Sequence, residues 1–244
     1  MPSYWRHVNK VLKEAEIIIE VLDARLIEET RNQEVEDKVH NMGKKLLYVF
    51  NKCDLVNVEE LKKKVKNFKP SVFISSKDHL GTTILKKKIL ELSRGEKVTV
   101  GILGYPNVGK SSLINALSGR GAARTSKESG FTKGMQKVRV DNKIMVLDTP
   151  GVFPSQEKDI NKHGKTGAID YAKLKDPETV ALNLINDHKE VFLKYYGVKD
   201  GELEDILEEI ALKVGRLLKG GKADLEGAAR FLLKEWQTGK IRVS

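Results

Sequence analysis

Four short runs of residues carry the chemistry legible in this chain. Gly104-Tyr-Pro-Asn107-Val108-Gly109-Lys110-Ser111-Ser112 fits the pattern of two glycines with four residues between them, followed by Lys and Ser. Its glycines let backbone N–H groups turn inward around a phosphate, Lys110 supplies a positive charge to the outer phosphate oxygens, and the Ser111 hydroxyl can face Mg²⁺. Asp148-Thr-Pro-Gly151 adds a carboxylate for the same cation and a glycine N–H for a γ-phosphate. In Asn51-Lys52-Cys53-Asp54, the Asp54 carboxylate can accept from N1–H and N2–H₂ of guanine together, a pairing adenine cannot make. Lys52 would then cover the base while Asn51 steadies the site, and Ser75-Ser76-Lys77 fits a second base loop, with the Ser76 backbone N–H directed at guanine O6. Taken alone, Asp148-Thr-Pro-Gly151 reads equally as a strand-ending turn, Asn51-Lys-Cys-Asp54 more readily as a capped turn, and Ser75-Ser-Lys77 is a weak signal; their co-occurrence with the phosphate loop points to GTP. A threonine that reaches Mg²⁺ only when the γ-phosphate is present is expected in the loop before the last strands, and Thr132 in Gly130-Phe-Thr132 is the choice, with Thr125 as competitor. The candidate metal ligands are thus Ser111, Thr132 and Asp148, and the candidate catalytic groups Lys110, Thr132 and Gly151.

These runs need strands to hold them. Glu16-Ile-Ile-Ile-Glu-Val-Leu22 is a dense β-branched run, as in a buried parallel strand, and ends in Asp23-Ala24-Arg25. Residues 45–50, 71–74 and 98–103 repeat the pattern and lead into Asn51, Ser75 and the phosphate loop. Helical stretches are expected at 5–15, 33–42, 57–67, 82–93 and 110–118, giving βαβ units with right-handed crossovers and the motifs at the carboxyl ends of the strands. Residues 137–140 and 144–147 read as a hairpin about Asp141-Asn142. Beyond 160 the period becomes helical, with Leu203, Ile206, Leu207, Ile210, Val214 and Leu217 on one face and Leu225, Ala228, Ala229, Leu232 and Trp236 on another, broken at Gly197 and Gly220-Gly221. The expected domains are residues 1–160, an α/β nucleotide-binding domain, and 161–244, a small all-α domain.

The 244 residues are 40% hydrophobic and 32% charged, enough for one substantial core and a second small one. No apolar run reaches the eighteen or so residues that span a bilayer, and the amino terminus lacks a signal-peptide layout. A lone Cys53 excludes an internal disulfide and suits a reducing compartment; a cytoplasmic monomer with neither membrane nor DNA partner is expected. Net charge is +10, and residues 1–160 hold the surplus, with 29 basic and 20 acidic groups against 15 and 14 in residues 161–244. Lys62-Lys63-Lys64, Lys86-Lys87-Lys88 and the segment from Arg120 to Arg139 concentrate it, as a surface for a polyanion such as RNA, the two lysine runs reading alternatively as solvated helix faces.

With the base reader about fifty residues before the phosphate loop, the chain resembles the circularly permuted GTPases of ribosome biogenesis, specifically the YlqF/RbgA type acting on the large subunit. Asp23-Ala-Arg25 followed by Arg31-Asn32, Gly130-Phe-Thr132, and Thr166-Gly-Ala-Ile169 at the opening of the helical domain carry the resemblance alongside the permuted motifs. The resemblance implies a circularly permuted P-loop G domain, Mg²⁺-dependent turnover of GTP to GDP, and a precursor of the large ribosomal subunit with its rRNA as partner. Asn107 is similar to the asparagine of potassium-activated GTPases, which makes K⁺ a second cofactor to test; its plain alternative is a polar turn residue. Val152 stands where many GTPases place a water-orienting glutamine, so slow intrinsic turnover is expected. His7 falls within the first helix, out of register with the family's catalytic histidine, and reads as an exposed helix histidine. Asp23-Ala-Arg25 either shapes the nucleotide-side loop or makes a strand-end salt bridge.

Overall fold

The computed structural model describes residues 3–119, 136–154 and 157–243. These form two compact units, Met1–Lys158 and Asp159–Ser244. In the first, α1 (Ser3–Glu14) leads into β1 (Ile17–Asp23), followed by α2 (Ile27–Thr30), α3 (Gln33–Asn41), β2 (Lys45–Asn51), α4 (Val58–Lys64), β3 (Ser71–Phe73), α5 (Thr82–Leu92), β4 (Val98–Gly104), α6 (Lys110–Ser118), β5 (Gln136–Arg139) and β6 (Ile144–Asp148). The sheet has the order β3-β2-β1-β4-β6-β5, parallel except for the β5–β6 hairpin. Thr132 and Thr125 lie outside the described residues.

The β1 run is buried at every position, because helices cover both faces of a parallel strand in the middle of the sheet. Trp5, Val8, Val11, Leu12 and Ala15 make one stripe of α1 and pack with Ile18, Val35, Val39, Leu103, Leu147 and Val152. Each fully buried aliphatic side chain of this kind contributes about 1.5–3 kcal/mol relative to exposure. The chain runs outward from β1 to β3 on one side and from β4 through β6 to β5 on the other. The carboxyl ends of β1 and β4 therefore flank a reversal of strand order, the crevice where open α/β sheets take their ligands.

Mid-strand, β1 carries a buried carboxyl. Glu20, in the middle of β1 and wholly buried, accepts the Asn32 backbone N–H at 2.8 Å, while Asn32 caps α3 through Val35. Burial, reinforced by the charge of Glu36, pushes the Glu20 carboxyl up to about 8. A carboxyl raised on folding stabilises below its unfolded value of 4.5, and that contribution is lost as pH rises through about 8. Thermal melts between pH 5 and 8 will therefore show the parent losing several degrees that Glu20→Gln does not lose. Parallel pH profiles for the two proteins would contradict this.

The second unit comprises α7 (Ile160–Thr166), α8 (Pro177–Asp187), α9 (Lys189–Tyr196), α10 (Leu203–Lys213) and α11 (Leu225–Gln237). Asp176 caps α8 with Pro177 at its first turn, and Gly197 ends α9 in a left-handed conformation. Trp236 is wholly buried against Phe192 and His188, and its Nε1–H donates to the Lys165 carbonyl at 3.0 Å. Ile206, Leu207, Ile210, Ala228, Ala229 and Leu232 complete the expected core faces. Leu217 corrects the reading of its face. α10 stops at Lys213, Gly215 turns the chain, and Leu217 emerges 50% exposed.

Candidate nucleotide-binding site

The phosphate loop grows out of β4. Gly104 closes the strand, and Gly109, with φ of +96°, caps α6 where a Cβ would lie 2.3 Å from the Asn51 amide nitrogen. Only glycine tolerates both that backbone angle and that neighbour. The loop thereby presents the first backbone N–H groups of α6 to the crevice. Lys110 is buried, and its ammonium donates to the carbonyls of Gly104 at 3.0 Å and Tyr105 at 2.8 Å, so it folds back along the loop. Burial lowers its pKa to about 8, against the opposing charge of Asp148. Asn107, half-buried with φ of +62°, and buried Val108 complete the loop.

Asp148 ends β6 with its carboxylate 1% exposed. Its Oδ2 accepts from the Ser111 hydroxyl at 3.4 Å, and its Oδ1 is buried with no hydrogen-bond partner among the described residues. Burial raises the Asp148 pKa even with Lys110 nearby. An orphaned carboxylate oxygen beside a hydroxyl is the donor set of a hard cation, so the residues fit Mg²⁺. Among the described residues no group of three or more His, Cys, Asp or Glu forms a metal site, so the described residues would supply two ligands, Ser111 and Asp148. Gly151 presses on the phosphate loop, where a Cβ would lie 2.7 Å from the Pro106 Cα. Val152 follows with its N–H donated to the Gly104 carbonyl at 3.1 Å and its side chain 1% exposed in the α1 cluster, where it cannot reach water. Ser112 is exposed on α6, and His7 is half-buried on α1.

Asn51 organises the base side. Its Nδ2 donates to the Val108 carbonyl at 2.8 Å, and its Oδ1 accepts from the Ser76 backbone N–H at 3.1 Å and the Ser76 hydroxyl at 2.8 Å. One amide thus joins the phosphate loop to both base loops. It also changes the role read for Ser76. The Ser76 N–H, expected to face guanine O6, donates here to Asn51 Oδ1, and the neighbouring Lys77 is exposed. Asp54 lies in the short helical turn Cys53–Leu55, half-buried, and its carboxylate makes no hydrogen bond among the described residues. Ser75 is buried and accepts the Asp78 N–H through its hydroxyl, which tightens the second loop.

Asp23 is the site residue whose role the motifs left open. Strand pairing puts it opposite Asn51, and its buried carboxylate accepts from Arg25 at 2.9 Å and from the Lys52 ammonium at 2.7 Å. Lys52, at φ of +62°, is thereby pinned 29 residues away in sequence. Burial alone would raise the Asp23 pKa, but the two cations hold it well below the usual carboxylate range. Asp23→Asn leaves those cations facing each other without their counter-charge, a loss of about 3–5 kcal/mol, or a melting point lower by about 6–20 °C. A depressed carboxyl stabilises above its unfolded value of 3.8, so the gap between parent and variant will stay constant from pH 7 to 4 and close below it. Thermal melts across that range check this.

A phosphate loop, a buried aspartate beside a hydroxyl, and a guanine-type base reader converge at adjacent strand ends in rotated order. That defines a P-loop GTPase domain with its motifs circularly permuted. The family model described as 50S ribosome-binding GTPase matches residues 99–217, and the model described as RsgA GTPase matches residues 17–156. The GNP-bound structure of YlqF from T. maritima matches with a TM-score of 0.70 at 26% identity, over 98% of this chain and 94% of that one. An uncharacterised GTP-binding protein of Methanocaldococcus jannaschii is 42% identical over 96% of this chain and 65% of its own length. GTPase grn1 of Schizosaccharomyces pombe is 33% identical over 98% of this chain and 61% of its own, and the nuclear GTP-binding protein NUG1 of Saccharomyces cerevisiae 30% over 98% and 55%. The chain spans less than two thirds of these curated relatives. It belongs to the circularly permuted ribosome-biogenesis GTPases, the YlqF type.

Proposed function

We propose that this chain is a Mg²⁺-dependent, slow GTP-hydrolysing switch that binds pre-ribosomal RNA and acts in assembly of the large ribosomal subunit. Residues 1–160 serve as the switch and residues 161–244 as a helical attachment. The observation that carries the reading is Asn51, whose single side chain ties the phosphate loop to both base loops, so that base and phosphates are sensed together. In this reading Asn51, Lys52, Asp54, Ser75, Ser76 and Lys77 hold guanine. Asn107 through Ser112 and Gly151 hold the phosphates. Ser111 and Asp148, with Thr132, hold Mg²⁺, which neutralises charge on the phosphate oxygens.

Lys110, already desolvated, places its charge on the β and γ oxygens without further loss of water. No side chain at position 152 orients water, so turnover is slow until the ribosomal particle supplies that function. The same observation favours a second reading, a GTP-dependent RNA-binding scaffold in which hydrolysis is incidental. K⁺ beside Asn107 is tested by comparing turnover in KCl and NaCl. No helix among the described residues is long and apolar enough to cross a membrane, and the place of action proposed is the cytoplasm, as a monomer.

Co-sedimentation with purified subunits tests the partner. Retention on large but not small subunits with a non-hydrolysable GTP analogue, and release with GDP, is the expected result. Equal retention in both nucleotide states, or on both subunits, would overturn the switch or the subunit assignment respectively.

A further inference from the structure

A tyrosine begins the phosphate loop where the chain leaves β4. Tyr105 is wholly buried, and a buried hydroxyl needs a partner to replace water. It donates to the carboxylate of Glu157, 52 residues further along the chain and half-buried. The Tyr105 ring also meets Phe153 edge to face, with centroids 5.1 Å apart. Both partners follow closely on Asp148-Thr-Pro-Gly151, the run that would sense a γ-phosphate.

These two contacts end a longer series. The Thr149 hydroxyl donates to the Ile102 carbonyl at 2.8 Å, Gly151 rests on Pro106, and the Val152 N–H donates to the Gly104 carbonyl at 3.1 Å. The Gly104 carbonyl also takes the Lys110 ammonium at 3.0 Å, so the phosphate-binding lysine and the sensor segment share one acceptor. Most of the series uses backbone groups that other residues could supply. The exception is the Tyr105 hydroxyl, since phenylalanine would fill the same space and leave Glu157 unheld.

We infer that Tyr105 and Glu157 are positioning residues: they latch the segment after β6 onto the phosphate loop and so hold the Gly151 N–H where a γ-phosphate would meet it. They act through Gly151, which makes the effect selective. GDP has no γ-phosphate and gains nothing from the latch, whereas a ligand that needs the latched arrangement loses apparent affinity in proportion to the fraction that remains latched. A contact that merely stabilised the loop would weaken both nucleotides alike. The inference rests on the proposed GTP switch for its ligand, and deepens it by naming what holds the γ-phosphate sensor in place.

The test titrates a non-hydrolysable GTP analogue and GDP, each with Mg²⁺, into the full chain and its variants by calorimetry. Tyr105→Phe will weaken the GTP analogue about five- to thirtyfold and GDP by less than about twofold. Glu157→Ala will match it, and the double variant will lose no more than either single one, because both remove the same bond. Glu157→Gln keeps an acceptor oxygen and will lose less than about threefold. Equal weakening of the two nucleotides in Tyr105→Phe, or losses that add in the double variant, would overturn the inference. Tyr105→Phe retains the buried ring, and a melting temperature within a few degrees of the parent shows it folded. In nucleotide-free protein the Val152 amide, followed by NMR hydrogen exchange, will exchange about tenfold faster in Tyr105→Phe. An unchanged rate would strike the latch alone. Faster exchange in that variant, with neither nucleotide bound by the parent, would strike the proposed function instead.

Discussion

Lys110→Met will abolish the rise in melting temperature that GTP and Mg²⁺ give the parent, while the nucleotide-free variant melts within a few degrees of the parent. The two halves follow from one burial. Lys110 sits charged among the carbonyls of Gly104 and Tyr105 with its pKa lowered to about 8, so in the empty fold its charge is a burden that methionine removes. The loss of two hydrogen bonds to those carbonyls offsets that gain, about 1 kcal/mol each. With nucleotide the balance inverts. Two charge-assisted hydrogen bonds to phosphate are worth about 1.5–3 kcal/mol each, so affinity falls by about 10² to 10⁴. The parent at a hundredfold excess of GTP over its dissociation constant gains about 2.7 kcal/mol, or about 5–10 °C. A variant that retained the shift would remove Lys110 from the site.

Asp54→Asn will exchange guanine for xanthine. The aspartate carboxylate has no hydrogen-bond partner among the described residues and is half-exposed at the mouth of the base loops, where it can accept two donors from one guanine edge. Replacing it by an amide loses one acceptor and places a donor against N2–H₂, so GTP affinity should fall by about 10² to 10⁴. Xanthine carries a carbonyl at that carbon, which the new amide N–H satisfies while Oδ1 keeps N1–H. Competition of GTP, XTP and ATP against a fluorescent nucleotide reads this directly. Unchanged GTP affinity in the variant would show that Asp54 does not read the base.

Much of this site was legible because buried parallel strands write themselves as continuous β-branched runs, and each motif follows such a run. The strands at 17–23, 45–51 and 98–104 and the β5–β6 hairpin stand within a residue or two of expectation. What remained illegible depends on contacts distant in sequence. Nothing local shows that Asn51 takes the Ser76 N–H, or that Asp23 holds Lys52, since strand pairing creates both. The four-residue α2 is too short to show a period, and it rests on Thr30, whose hydroxyl donates to the Leu26 carbonyl and accepts the Asp23 N–H. Leu217 was drawn into a helix face because the spacing continued past Lys213. Gly215 ended the helix, and the leucine that sequence periodicity would bury became part of an exposed basic turn.

The central claim, a GTP switch completed by the large subunit, is tested most directly by steady-state GTP hydrolysis in KCl buffer with and without purified large subunits, small subunits serving as control. Acceleration by large subunits alone, lost in Lys110→Met, is the predicted result. No acceleration by either subunit, with tight GTP binding retained, would contradict it and leave the scaffold reading in its place.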